Sequence, residues 1–208
     1  MAGDPHDENY SSFAQQNHLA WGSAGAEAAA MRKAEDQQAC ERLGVGYRHF
    51  NWPDAIYRQD QVTGEPMVND NNELFGKHPE KLLVSEISHL LSKQLPKDSV
   101  LVSPMGLGTH IDHLAVKLAA EDTDRVNYYY ADYPYILKHF PSLNQGWQAY
   151  HKPLDEDALG AWQEAVLTYT SQWHAFWRDE SETRLCLRNY MAGGGGRLWK
   201  FSPLNETL

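Results

Sequence analysis

Cysteine is scarce in this chain. The 208 residues hold two, Cys40 and Cys186, and neither has a second cysteine at C-x-x-C spacing. A disulfide framework and a thiolate zinc site are therefore not expected. Long apolar runs are missing as well; none approaches the roughly 18 to 20 residues that a bilayer span requires. Basic residues are outnumbered, with 18 Lys and Arg against 28 Asp and Glu and a formal charge of −10. That balance argues against sequence-independent binding to a phosphate backbone, so nucleic acid is not an expected partner. The first ten residues carry neither a basic n-region nor an apolar h-region, so no secretory signal is expected and the chain reads as soluble and cytoplasmic. On that reading, Asn9-Tyr10-Ser11 and Asn205-Glu206-Thr207 are chance matches to a glycosylation sequon. No internal repeat is visible.

What is present suffices for one domain over 1–208, with 42% hydrophobic residues to build a core. Residues 24–43 are rich in Ala, Glu, Arg, Lys and Gln and stop at Gly44, which predicts a helix with Ala30, Ala34 and Leu43 toward the core. Residues 47–51 read as a short strand, and 64–76 as a polar loop. Leu83, Ile87, Leu90 and Leu91 recur at helical spacing before Pro96. Residues 99–104 form a β-branched run of the kind found in buried parallel strands, followed by Gly106 and Gly108 and then by a second helical pattern. Residues 125–130 repeat the strand signal. A long aromatic helix is expected over 162–177, with Trp162, Tyr169, Trp173 and Trp177 packed in the core, and a glycine tether over 193–196. Alternating strands and helices predict an α/β fold with a parallel sheet, whose ligands sit beyond the carboxyl ends of the strands.

The segment richest in chemistry is 104–113, where His110, Asp112 and His113 fall within four positions at the end of a predicted buried strand. Neutral imidazole is a good zinc ligand, and a carboxylate beside an imidazole can orient and charge it for proton transfer. The same residues also allow a plainer reading: a loop in which Asp112 caps the following helix and both histidines are solvated. The tyrosines at 128–130, 133 and 135 suit a sugar-stacking platform, but tyrosine is equally ordinary in a strand. A nucleotide-binding turn is a poorer match, because Gly106-Leu107-Gly108 lacks a third glycine and runs into His and Asp.

The run from Ser103 to His113 resembles the second motif of the GlcNAc-phosphatidylinositol de-N-acetylase (PIG-L/LmbE-like) family, in which a glycine-rich turn leads to H-x-D-H. Further phrases agree in order: Ala2-Gly3-Asp4-Pro5, Arg32 to Asp36, Leu43-Gly44, Asp54 to Arg58, Tyr129 to Tyr135 and Tyr169 to Gln172. The resemblance implies a Rossmann-like three-layer α/β sandwich with a mostly parallel sheet. It also implies one zinc ion and removal of an acetyl group from an amide nitrogen, often on an N-acetylated sugar. By the same likeness His113 matches a metal ligand, His110 the group that stabilises the oxyanion or donates a proton, Asp112 an orienting carboxylate, and Arg58 a substrate contact. In the family an H-P-D-D motif after the first strand supplies the other ligands, and this sequence contains none. The first strand is expected to be missing, which opens a sheet edge to a second copy of the chain. Two look-alikes exist. Pro5-His6-Asp7-Glu8 lacks a preceding buried strand, while His78-Pro79-Glu80 reads as a helix start with a solvated histidine. The expected activity is a zinc-dependent N-deacetylase of a small molecule, inactive if the metal set stays incomplete. The alternative is a noncatalytic carbohydrate-binding or interaction module.

Overall fold

The computed structural model describes residues 3–5, 10–139, 146–150, 154–193 and 195–202. In chain order the elements are α1 (Ser12–Trp21), α2 (Gly25–Leu43), a 3₁₀ turn (Ala55–Tyr57), α3 (Asn71–Leu74), α4 (Lys81–Gln94), β1 (Leu101–Pro104), α5 (Ile111–Glu121), β2 (Val126–Tyr130), α6 (Ile136–His139), β3 (Trp147–Tyr150), α7 (Glu156–Leu167), a 3₁₀ turn (Trp173–Ala175), α8 (Glu180–Ala192) and β4 (Leu198–Phe201). They fall into two compact units, Met1–Asn71 with Pro153–Gly195, and Asn72–Lys152 with Gly196–Leu208.

The first unit is helical. Ser11 caps α1 by accepting from Ala14 N, and Gly22 ends the helix in the left-handed region. α2 runs to Gly44 as its composition predicts, but its buried face carries Ala28, Ala29, Glu35 and Ala39. Ala30, Ala34 and Leu43 are exposed, so the expected stripe lies on the wrong side. The reason is Glu35. Its buried carboxylate accepts from Thr170 Oγ1 (2.9 Å), Ser171 N (2.8 Å) and Ser171 Oγ (2.7 Å), which turns this face inward. The neighbouring Asp36 accepts from Tyr169 OH at 2.7 Å and pairs with His49 Nε2 at 2.7 Å. α2 packs on α7, and α7 on α8, with Leu159, Ala165, Thr183 and Leu187 buried.

This clasp also explains why the long aromatic helix is absent. α7 starts at Glu156, capped by Asp155, and stops at Leu167, because residues 168–172 turn to meet Glu35. Trp162, Tyr169, Trp173 and Trp177 are half-buried rather than core. No ladder forms over 47–51, which has no regular secondary structure, and the parallel bridge nearby joins Gly3 to Pro53. The expected glycine tether is partly a turn: Gly193 ends α8 and Gly195 N donates to Tyr190 O at 2.7 Å. Gly194 lies outside the described residues.

The second unit is the α/β part. Its sheet runs in the order β1-β2-β4-β3. β1 and β2 are parallel with α5 crossing between them, the βα unit that 99–120 predicts, whereas β4 is antiparallel to both β2 and β3. The α/β class is as expected, but among the described residues the sheet is mixed rather than mostly parallel. The difference comes from β3 and β4, which the sequence pattern does not announce. α4 buries Leu83 and Ile87 and packs on α5, which in turn covers β1. The polar stretch 64–76 holds one short helix, α3.

Candidate active site

The carboxyl end of β1 is where the chemistry gathers. After Pro104, Met105 N still donates to Tyr130 O (2.9 Å), which prolongs the parallel pairing by one residue. The chain then turns through Gly106 (φ 77°), Gly108 (φ 80°) and Thr109 (φ 58°). Gly108 is needed twice over: its φ is one that L side chains rarely adopt, and a Cβ there would lie 2.7 Å from Tyr135 Cγ. The hydroxyl of Thr109 donates to the Phe75 carbonyl.

This turn delivers α5 with His110 at its N-cap. His110 Nδ1 accepts from Asp112 N at 3.2 Å, so the cap is the imidazole and not the carboxylate that the plainer reading put there. By the hydrogen-bond network, a neutral His110 then carries its proton on Nε2. The Asp112 side chain is buried in the first helical turn, where a negative charge complements the helix dipole. His113 lies less than one turn further on, with its ring centroid 5.2 Å from that of His110. Phe75 meets His110 edge-on at 5.2 Å, and Tyr135 meets His113 edge-on at 6.2 Å. Burial and then the nearby Asp132 charge raise the Tyr130 phenol to about 12 and push Tyr135 up by the same causes, so both stay protonated at neutral pH.

The carboxylate hydrogen-bonded to His113 is that of Asp132. His113 Nδ1 donates to Asp132 Oδ1 at 2.6 Å, and Leu107 N donates to Oδ2 at 2.9 Å. Asp132 stands just past the end of β2, the strand beside β1. Sequence reading quoted it only within a longer phrase and gave it no role. The available signal was its place: ligand sites in open α/β sheets form at the carboxyl ends of adjacent strands.

The other expected site residues come from other segments of the chain. Arg58 belongs to the first unit, just after the 3₁₀ turn that Asp54 caps. It is buried rather than solvated, its Nη1 donates to Pro53 O at 3.0 Å, and it lines a small cavity with Tyr10, Ser11, Tyr57 and Gln59. His78 is exposed and Glu80 sits at the N-cap of α4. His6, Asp7 and Glu8 lie outside the described residues. His113 suits a metal, since its Nδ1 is committed to a carboxylate and Nε2 remains for a ligand bond. Yet among the described residues no three His, Cys, Asp or Glu side chains come together as a metal-binding group, and a catalytic zinc takes three protein ligands. The described residues therefore do not fit a complete catalytic zinc.

The family model for PIG-L, GlcNAc-PI de-N-acetylase, matches residues 4–123. A comparison with curated proteins finds no match. Among solved structures, a deacetylase–bog complex from the teicoplanin biosynthesis pathway superposes with a TM-score of 0.73 at 24% identity, covering 100% of this chain and 86% of that one. The zinc-inhibited form of teicoplanin deacetylase Orf2 gives the same values. The A40926 pseudoaglycone deacetylase Dbv21 superposes with a TM-score of 0.63 at 22% identity, covering 97% and 81%. At these identities the likeness is one of fold.

Proposed function

The chain belongs to the PIG-L, GlcNAc-PI de-N-acetylase family, and from that premise we propose that residues 1–208 act as one N-deacetylase domain. The reaction is hydrolysis of an acetamide on an N-acetylated sugar or a related small molecule. The observation that carries this reading is the turn after β1, which holds His110 and His113 side by side at the carboxyl end of a strand that is buried only at Ser103 and Pro104, Val102 being exposed rather than core as the β-branched run predicts. In the proposed roles His110 is the proton donor. Its Nε2–H faces the charge that develops on the amide carbonyl oxygen, while Asp112 N holds the other nitrogen. Asp112 orients His110. The reading includes one zinc with His113 as a ligand, which would polarise the amide and lower the pKa of a bound water. No helix among the described residues is long and apolar enough to cross a membrane, and the two cysteines, both free, accord with a reducing compartment such as the cytoplasm.

The test is zinc per chain by elemental analysis, on protein purified without chelator, beside His113→Ala, with acetate release measured on N-acetylglucosamine conjugates. Near-stoichiometric zinc that disappears in the variant, together with acetate release, supports the deacetylase. Little zinc in either protein and no acetate would refute it and leave the noncatalytic carbohydrate-binding or interaction module.

A further inference from the structure

Asp132 has no exposed side-chain surface, yet it is a carboxylate, and its oxygens take one donor from the turn after β1 and one from α5. Its own backbone is anchored too: Ile136 N donates to the Asp132 carbonyl at 2.9 Å, and Ile136 is buried. An acceptor-only group in this place imposes a direction on each partner, because a carboxylate can only receive. Leu107 N–H has no alternative role, but an imidazole has a choice of nitrogen for its proton, and here the choice is removed.

We infer that Asp132 is a positioning residue that fixes His113 with its proton on Nδ1 and the lone pair of Nε2 turned toward the ligand. His110 is held in the opposite sense, since its Nδ1 accepts from Asp112 N. The two imidazoles, 5.2 Å apart, therefore present one acceptor and one donor to the same small molecule. Other tautomer combinations would present two donors, two acceptors, or the pair reversed. An amide and the water that attacks it need the sorted pair: a lone pair that can receive a proton of the water or bind a metal ion that holds it, and a donor for the carbonyl oxygen. Through Leu107 the same carboxylate also ties the glycine turn to the imidazole that the turn presents, so turn and ring are set together. The inference rests on the deacetylase reading for the identity of the ligand, whereas the tautomers are a property of the free chain.

Ring ¹⁵N–¹H correlation spectra of the full, metal-free chain labelled at histidine test this directly, recorded where the ring nitrogen shifts themselves show neutral imidazoles. His110→Ala and His113→Ala variants assign the signals. The expected wild-type pattern is a proton on Nδ1 of His113 and on Nε2 of His110. In Asp132→Asn only one acceptor remains. Leu107 N–H cannot reverse, so the amide oxygen turns to it and the NH₂ faces His113 Nδ1, which must then accept. The expected result is transfer of the His113 proton to Nε2 with His110 unchanged, an inversion that mere loosening of the fold would not produce. A wild-type His113 protonated at Nε2, or an Asn variant that keeps the Nδ1 proton, overturns the inference. If the variant melts before it can be measured, the wild-type spectrum alone decides. Sorted tautomers in a chain that neither binds zinc nor releases acetate would sink the deacetylase reading and leave the role of Asp132 standing.

Discussion

Replacing Glu35 with alanine is expected to cost about 3–5 kcal/mol of stability, the sum of the hydrogen bonds to its buried carboxylate less what its removal gives back. The side chain is 5% exposed and accepts three hydrogen bonds, two on Oε1 and one on Oε2. A bond to a charged group contributes roughly 1.5–3 kcal/mol. The total falls short of three full contributions because alanine also relieves the desolvation of the carboxylate and leaves the two hydroxyls able to rotate. Glutamine separates acceptor number from charge. Its oxygen keeps Thr170 Oγ1 and Ser171 N, and its NH₂ donates to Ser171 Oγ, which turns to accept, so the loss is about 1 kcal/mol. Thermal unfolding followed by circular dichroism reads both. In a chain of this size each kcal/mol moves the midpoint roughly 2–4 °C, which gives a drop of roughly 6–20 °C for alanine and roughly 2–4 °C for glutamine. An alanine variant within about 1 kcal/mol of wild type would refute the reasoning. Equal losses in both variants would show that charge, not acceptor count, secures the clasp.

His18 is buried, and its pKa is lowered, first by burial and then by the Arg32 charge. Its Nε2 accepts from Gly25 N at 3.3 Å and lies 2.8 Å from Tyr57 OH, whose own pKa is raised to about 12, mainly by burial. Below the ordinary histidine pKa the unfolded chain takes a proton that the native His18 resists, so stability is full above about pH 6.5 and declines as pH falls toward the lowered native value. Urea midpoints measured across that window should show the decline in wild type and a smaller one in His18→Gln. Gly108→Ala is expected to cost about 1–3 kcal/mol more than Gly64→Ala. Both glycines sit at positive φ, but only the Gly108 Cβ would strike Tyr135, while nothing lies within 4 Å at Gly64. Equal urea midpoints for the two variants would remove the contact as a cause.

The sequence was most informative where local rules act alone. The stop of α2 at Gly44, the α4 apolar spacing, the β1 run and the glycine turn into α5 all follow from propensity, periodicity and turn chemistry, and each element lies where those rules put it. It misled where one long-range polar contact outweighed the pattern. Glu35 stands in a run whose composition marks only a helix, yet burying it rotates α2 and cuts short the aromatic helix expected over 162–177. β3 and β4 are short strands joined to the sheet by antiparallel pairing between distant segments, which leaves little local trace. The histidines of the site were legible from their spacing. Asp132 was not, because its partner lies 19 residues away and only the adjacency of β1 and β2 brings them together.

The same clasp has a consequence in time. Glu35 finds its backbone partner Ser171 136 residues later, and at roughly 5–20 residues per second a ribosome takes roughly 7–27 s to cover that distance. Throughout that interval the nascent α2 carries a carboxylate on its apolar face with no hydroxyls to receive it. The first unit is therefore expected to close only once Ser171 has emerged, after β1, α5 and β2.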